Sequence, residues 1–338
     1  MRNMYEKIQE LADIPSFSKH EQLVRGIINA IDEKLLSKGD TLPSVNVMNK
    51  ELGFAKETIV KAYSELKNRG IIESRNRLGY FVINEDTEQT LKVALMMYGY
   101  DTFQELFYTN FRKGLGEKVH VDVFFHHGNI EMFETMLDII RGKYGMYVIS
   151  PIPHPKSATL LQTIPLNKLI MFDRFEPMEG DFSHVTQEFE KSSYRAFAEL
   201  ADTVRQFDEI LFFYPPHSLV PIEILRSFKK FLKDFNIKGG VRHEYKPGSI
   251  EKGKVYFTSN NTELFSMIKD CKTKNLILGK DVGLLSHNDE PVKELIGDGI
   301  TTFSTDFGLI GKKAAEHVLS REKIQEIVPT VLIRRNSL

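Results

Sequence analysis

Two rhythms of apolar residues meet at a short acidic stretch, Asn84-Glu85-Asp86-Thr87-Glu88-Gln89-Thr90, and that join limits the folds open to the chain. Before it, apolar residues fall at helical spacing and end in two short strands. After it, from Leu91–Met97 onward, apolar strands alternate with amphipathic helices. A chain of 338 residues has room for two or three domains. The pattern predicts a helical head over 1–84, a linker over 85–90 and an α/β module over 91–338.

Within the head, Ser18-Lys-His-Glu21 fits a capping box at the start of a helix carrying Leu23, Ile27, Ala30 and Ile31. Gly39-Asp40-Thr41-Leu42-Pro43 reads as a turn. Ser44 then caps a short helix with Val45, Met48 and Leu52 inward, and Gly53 ends it in the left-handed conformation. A second helix spans Ala55 to Arg69, with Ile59, Ala62, Tyr63 and Leu66 as core, and Gly70 stops it. Ile71–Ser74 and Tyr80–Ile83 read as strands joined by Arg75–Gly79. Helix, helix–tight turn–helix, hairpin is the winged helix-turn-helix plan, whose second paired helix enters a major groove.

The stretch Leu42 to Ile72, with Gly79-Tyr-Phe-Val82, resembles GntR-type regulators; the register of turn and core positions holds over 18–83. The resemblance implies that Lys56 and Thr58, with Glu57 and Lys61 on the same helix, face DNA. It places Ser44 against a phosphate, where helix N–H groups and dipole favour an anion. Arg75, Arg77 and Gly79 belong to the wing. Asn46 and Val60 stand where many members have Arg, and Arg77 stands where the wing often has Gly. Reliance therefore shifts toward the wing.

Beyond the join, no Gly-x-Gly-x-x-Gly, Walker lysine loop or serine elbow follows a strand, so no nucleotide chemistry and no cofactor are expected. His126-His127 are adjacent on a strand and point to opposite faces, which does not suit joint metal ligation. One cysteine, Cys271, excludes an internal disulfide and suits a reducing compartment; on its helix it reads as inert packing. No apolar run spans a membrane and no secretory signal precedes the head, so a cytoplasmic location is expected.

Lys280–Pro291, Gly299–Phe303, Gly311–Ala315 and Val328–Ser337, with Asp173-Arg174 and Val185-x-x-Glu188, resemble the effector domain of LacI-type repressors. That fold is similar to periplasmic sugar-binding proteins: two lobes with parallel sheets. The resemblance implies a first lobe of 91–186 plus 303–329 and a second of 187–302 plus the tail. Ligands in open α/β sheets sit beyond the carboxyl ends of strands. The resemblance places Asp173, Asn260, Asn288 and Asp289 on sugar hydroxyls and Phe103 against a ring face. Arg174 or Arg226 stands in for the family's ligand arginine, which Ile224 replaces.

The LacI hinge helix is missing, and the acidic linker would repel phosphate. The hybrid is similar to arabinose-repressor-like regulators, which implies a non-enzymatic homodimer that binds double-stranded operator DNA and a monosaccharide. The rivals are a carbohydrate-acting enzyme with a DNA head, for which Asp173 and Glu188 are the only acid–base pair, and a constitutive DNA-binding protein. The net charge of −1 hides a split: residues 1–84 hold 13 basic and 11 acidic side chains, the rest 32 and 35. A surplus that small predicts modest non-specific attraction to DNA.

Overall fold

The computed structural model describes the whole chain except residues 1, 13–16, 88–90 and 217–219, and the side chains of 2, 3 and 102. The last three linker residues, 88–90, thus lie outside the described residues.

The head contains α1 (Arg2–Glu10), α2 (Lys19–Asp32), β1 (Thr41–Leu42), α3 (Val45–Leu52), α4 (Lys56–Asn68), β2 (Ile72–Arg75) and β3 (Gly79–Val82). The Ser18–Glu21 capping box forms in both directions at the start of α2. Ser44 accepts the Val47 N–H at the start of α3, and Gly53 closes it at φ +69°. Tyr63 on α4 donates to the Pro43 carbonyl at 2.7 Å, which ties α4 to the turn before α3. Ile27, Met48, Ile59, Tyr63 and Leu66 are fully buried, as their spacing predicts.

Two elements escaped the sequence. Helix α1 brings Met4 and Ile8 into the head core, and it sits so close to α2 that a Cβ on Gly26 would lie 2.7 Å from the Ile8 Cα. Strand β1 pairs antiparallel with β3 and makes the wing a three-stranded sheet in the order β1-β3-β2.

The first stretch of the α/β module runs β4 (Leu91–Met97), α5 (Thr102–Leu115), β5 (Val119–Phe125), α6 (Ile130–Ile140), β6 (Met146–Ile149), α7 (Ser157–Leu161), β7 (Leu169–Asp173) and β8 (Ser183–Gln187). The second runs α8 (Glu190–Glu199), α9 (Ala201–Val204), β9 (Glu209–Phe213), α10 (Ile222–Asp234), β10 (Gly239–Arg242), β11 (Lys254–Thr258), α11 (Asn261–Thr273), β12 (Val282–His287), α12 (Pro291–Leu295) and β13 (Thr301–Thr305). The chain ends with α13 (Phe307–Ser320), β14 (Gln325–Val328) and β15 (Thr330–Ile333).

The described residues of this part form two six-stranded sheets, ordered β14-β8-β7-β6-β4-β5 and β10-β9-β11-β12-β13-β15. Strands β5, β4, β6 and β7 pair in parallel, as do β10, β9, β11, β12 and β13; β15 joins antiparallel. Parallel strands covered on both faces read as unbroken apolar runs, which residues 93–97 of β4 and 210–213 of β9 illustrate. The core of the second sheet is rich in phenylalanine: Phe212 stacks on Phe257 at 4.2 Å, with Phe197, Phe228 and Phe303 around them.

By compactness the chain forms two units. One holds 1–99, 112–184 and 314–324; the other holds 100–111, 185–313 and 325–338. The head and most of the first sheet therefore share a unit. The expected lobe change at 303 is displaced, because β13 is hydrogen-bonded between β12 and β15 and keeps 301–305 in the second sheet. Among the described residues, no helix is long and apolar enough to cross a membrane.

Candidate functional site

The head presents one polar face built from three short elements. Ser44 and Asn46 at the start of α3 are exposed, and so are Lys56, Glu57 and Lys61 on the first turns of α4; Thr58 is half-buried. The residues between them, Ile59 and Ala62, are buried, so the 3.6-residue period separates exposed polar residues from core. Lys61 pairs with Glu57 at 3.0 Å on the exposed surface. That pair leaves Lys56 as the basic side chain nearest the helix N-terminus.

In the wing, the Arg75 guanidinium bonds Glu73 at 2.6 Å and lies over the Phe81 ring at 4.4 Å. Its charge is partly matched and its plane is fixed. Arg77 adopts φ +61° at the hairpin tip, where glycine would be unstrained, and Gly79 follows at φ +103°. The tip thereby exposes Arg77 and Leu78, the latter 67% accessible.

The connector does not hang free of the head. Glu85 accepts from Lys34 at 2.6 Å and from the Lys38 N–H at 2.9 Å, and Thr87 donates to Asp32 at 2.5 Å. The Glu85 carboxylate thereby ties residue 85 to the head.

In the first unit, the carboxyl ends of β4 to β7 gather Tyr98, His126, His127, Ser150, Asp173 and Arg174. Asp173 terminates β7 at φ +69° and accepts from the Ser150 hydroxyl at 3.5 Å. His126 is buried. Its Nδ1 accepts the Gly128 N–H at 3.1 Å, so Nε2 carries the proton and donates to the Ser150 carbonyl at 3.0 Å. Burial, helped by His127 and Arg174 and opposed by the Ser150 bond, pushes the imidazole down to about 4. It is a neutral structural brace under the strand ends.

In the second unit, Asn260, Asn261, Asn288 and Glu290 lie at the carboxyl ends of β11 and β12. Two buried side-chain oxygens, Asn261 Oδ1 and Asn288 Oδ1, have no donor among the described residues. The Asn261 amide donates to both Glu290 oxygens, at 2.9 and 3.1 Å. Beneath them Lys293 is 1% exposed and donates to the Ser286 hydroxyl and to the His287 and Asn288 carbonyls at 3.0, 3.2 and 2.7 Å. Burial, against the pull of Glu290 and Asp289, brings its ammonium down to about 8. A lysine that braces the left-handed turn at Asn288, at φ +60°, has no periodicity signal that could announce it.

Four expected ligand residues already have partners of their own. Asp289 is held by Arg335 through two bonds of 2.7 and 2.8 Å and by Thr302 at 2.8 Å, a clasp on the C-terminal segment. Arg226 is exposed on α10 and pairs with Glu223 at 2.9 Å. The Asn260 side chain accepts the Glu263 N–H at 3.1 Å and caps α11. Phe103 already packs on Phe307 with ring centroids 4.9 Å apart.

Glu188, the partner required for acid–base chemistry, accepts the N–H groups of Glu190, Lys191 and Ser192 at 2.9, 2.8 and 2.7 Å. It is an α8 cap. Cys271 is buried in helix packing, which pushes its thiol up to about 11.

Residues 19–82 match the family of bacterial regulatory proteins named gntR. The head is a gntR-type DNA-binding domain. One relative is the HTH-type transcriptional regulator Rv1152 of Mycobacterium tuberculosis (strain ATCC 25618 / H37Rv), 33% identical over 79 residues, which are 23% of this chain and 65% of that protein. The chain thus spans less than two thirds of that relative's length.

The α/β part shares its fold with solved regulators. The trehalose repressor from Escherichia coli superposes with a TM-score of 0.61 at 15% identity, over 73% of this chain and 100% of that one. A periplasmic binding protein/LacI transcriptional regulator from Alkaliphilus metalliredigens QYMF, complexed with D-xylulofuranose, gives 0.59 at 12%, over 73% and 98%. The gntR-type head is therefore joined to a LacI-like, two-sheet α/β fold.

Proposed function

We propose that the chain is a sugar-responsive transcriptional regulator, a repressor whose operator affinity changes when a monosaccharide binds the α/β part. The observation that carries this reading is the joining of the two modules: a gntR-type head on a LacI-like fold. A head alone could be constitutive. A ligand-binding fold on the same chain gives it an input.

On this reading Lys56 and Thr58 reach base edges or phosphates from the start of α4, Ser44 and the α3 N-terminus meet a phosphate, and Arg75, Arg77 and Gly79 lie along the adjoining groove or backbone. Asn46, Glu57 and Lys61 flank them. Two heads in a homodimer read a near-palindromic site. In the second unit the effector's hydroxyls have acceptors in the Asn261 and Asn288 amide oxygens; in the first, Asp173 offers an acceptor and Arg174 a donor at the end of β7. The amide side chains Asn261 and Asn288 at the β11 and β12 ends, with Lys293 already bound to Ser286 and two carbonyls, favour an unphosphorylated sugar. Linkage requires that the sugar bind the weak-DNA state more tightly than the strong one.

The test has two arms. A duplex is selected from a random-sequence pool by the full chain, and binding is measured against salt. Lys56→Ala should weaken binding and reduce the slope of log affinity against log salt by about 1. In parallel, the melting temperature is recorded with pentoses, hexoses, deoxyhexoses and their phosphates. A rise with one sugar supports the sensor. No selected duplex would refute the reading head, and no stabilising sugar would refute the monosaccharide.

A further inference from the structure

We propose that the amino edge of the first α/β sheet, at Gly145 and Lys168, is a docking surface for the C-terminal end of α4, which makes Lys168 a positioning residue for DNA reading. The inference rests on the function proposed above and adds a route by which the sensor acts on the head.

Asn68 is the last residue of α4, the helix that carries Lys56 and Thr58 at its other end. Lys168 Nζ donates to Asn68 Oδ1 at 2.6 Å across a sequence separation of 100 residues. Burial there, with Lys67 and Arg321 nearby, lowers the ammonium to about 8. The backbones meet as well. A Cβ on Gly145 would lie 2.4 Å from the Asn68 carbonyl oxygen and 2.5 Å from Leu91 Cδ1. One turn on, a Cβ on Gly70 would lie 2.6 Å from Lys92 Cδ. Only glycine fits at Gly145 without moving the helix end.

The gripping residues stand at the starts of strands. Leu91 opens β4, Gly145 precedes β6 and Lys168 precedes β7. The same three strands end at Met97, Ile149 and Asp173, beside the residues assigned to the ligand. Strands of four to seven residues span roughly 13–23 Å. Three parallel, buried strands therefore run from the proposed ligand end to the recognition helix. A fourth tie comes from Arg321, just beyond α13, which donates to the Gly145 carbonyl at 3.1 Å. Gly145 N–H in turn donates to the Lys92 carbonyl at 2.8 Å. Because the division between the two units falls within α13, a change there has a direct path to Gly145.

The experiment compares the full wild-type chain with Lys168→Met, which keeps the stem and removes the donor, with Gly145→Val, which fills the close approach, and with Lys229→Met on the exposed face of α10 as control. Amide hydrogen exchange without DNA is read at 66–71 and along β6 and β7. The docking predicts about ten-fold faster exchange at 66–71 in Gly145→Val and several-fold in Lys168→Met, with β6 and β7 protection kept. Unchanged exchange at 66–71 in Lys168→Met, with β6 and β7 intact, overturns it even if Gly145→Val fails to fold.

Binding to the duplex selected by the wild type is then measured against salt. Lys168→Met should change affinity about five-fold at an unaltered salt slope. An unaltered affinity, or a reduced slope, which would mean a direct phosphate contact, overturns the positioning role. If the wild type selects no duplex, the regulator reading fails, and the exchange data still decide whether the surface docks the helix.

Discussion

His126 shows how one residue can be misplaced by sequence and still be read soundly. The pair His126-His127 reads as strand neighbours facing apart, unsuited to joint metal ligation, but β5 ends at Phe125 and both lie in the turn after it, with His127 at φ +49°. The bonds to Gly128 and Ser150 then give His126 a task, because both are satisfied only by the neutral ring. The unfolded imidazole titrates near 6.5 and the folded one at about 4. Between those values the unfolded chain binds more protons, so the contribution is present above about pH 6.5 and is lost as pH falls through about 4, up to about 3 kcal/mol. His317, lowered by burial, acts in the same direction. In His126→Asn, the drop in melting temperature between about pH 7 and pH 4.5 should be smaller than in the wild type; an equal drop would show that His126 does not titrate this way.

Asp289 teaches the opposite lesson. Its neighbour Asn288 and its strand-end position suggested a ligand carboxylate, yet Arg335, distant in sequence, occupies both of its oxygens. Burial would raise its carboxyl, but the Arg335 and Thr302 bonds hold it below the ordinary range. Arg335→Ala should therefore destabilise the chain by about 2 kcal/mol in denaturant melts, since it leaves a half-buried carboxylate short of a partner. A loss of sugar response with unchanged stability would return Asp289 to the ligand.

At the scale of elements, local chemistry was legible and tertiary pairing was not. The Ser18 box, the Ser44 cap and the Gly53 and Gly70 stops are read from a few adjacent residues, and each appears where the sequence puts it. Strands β4 and β5 match their apolar runs residue for residue. Strand β1 was invisible because two residues have no period, and α1 because its apolar face is completed only by the approach of Ile8 to Gly26. The candidate site divides the same way. Asp173 at the end of β7 came from the LacI-type resemblance; Lys293, Glu290 and Asn261 gain meaning only once β11 and β12 lie side by side. Ser44→Ala should cost about 1 kcal/mol through the lost cap, and it should weaken DNA binding by more than that stability change explains if the α3 N-terminus also meets a phosphate. Thermal melts and duplex titration on the same variant separate the two effects.

At the scale of the whole molecule, the near-zero net charge fits a head that depends on placed contacts. The face at Lys56, Arg77 and the α3 N-terminus is small, and Lys61 and Arg75 are already paired with Glu57 and Glu73. On the proposed function, modest affinity per head would make the pairing and orientation of heads matter, and orientation is what a docked α4 would govern. Glu85 and Thr87 of the connector are bound to Lys34, Lys38 and Asp32 of the head. The most direct test is a fluorescence-anisotropy titration of the selected duplex with the full chain, with and without the monosaccharide that most raises its melting temperature. The account predicts that sugar weakens binding at least about five-fold; identical curves at saturating sugar would contradict it.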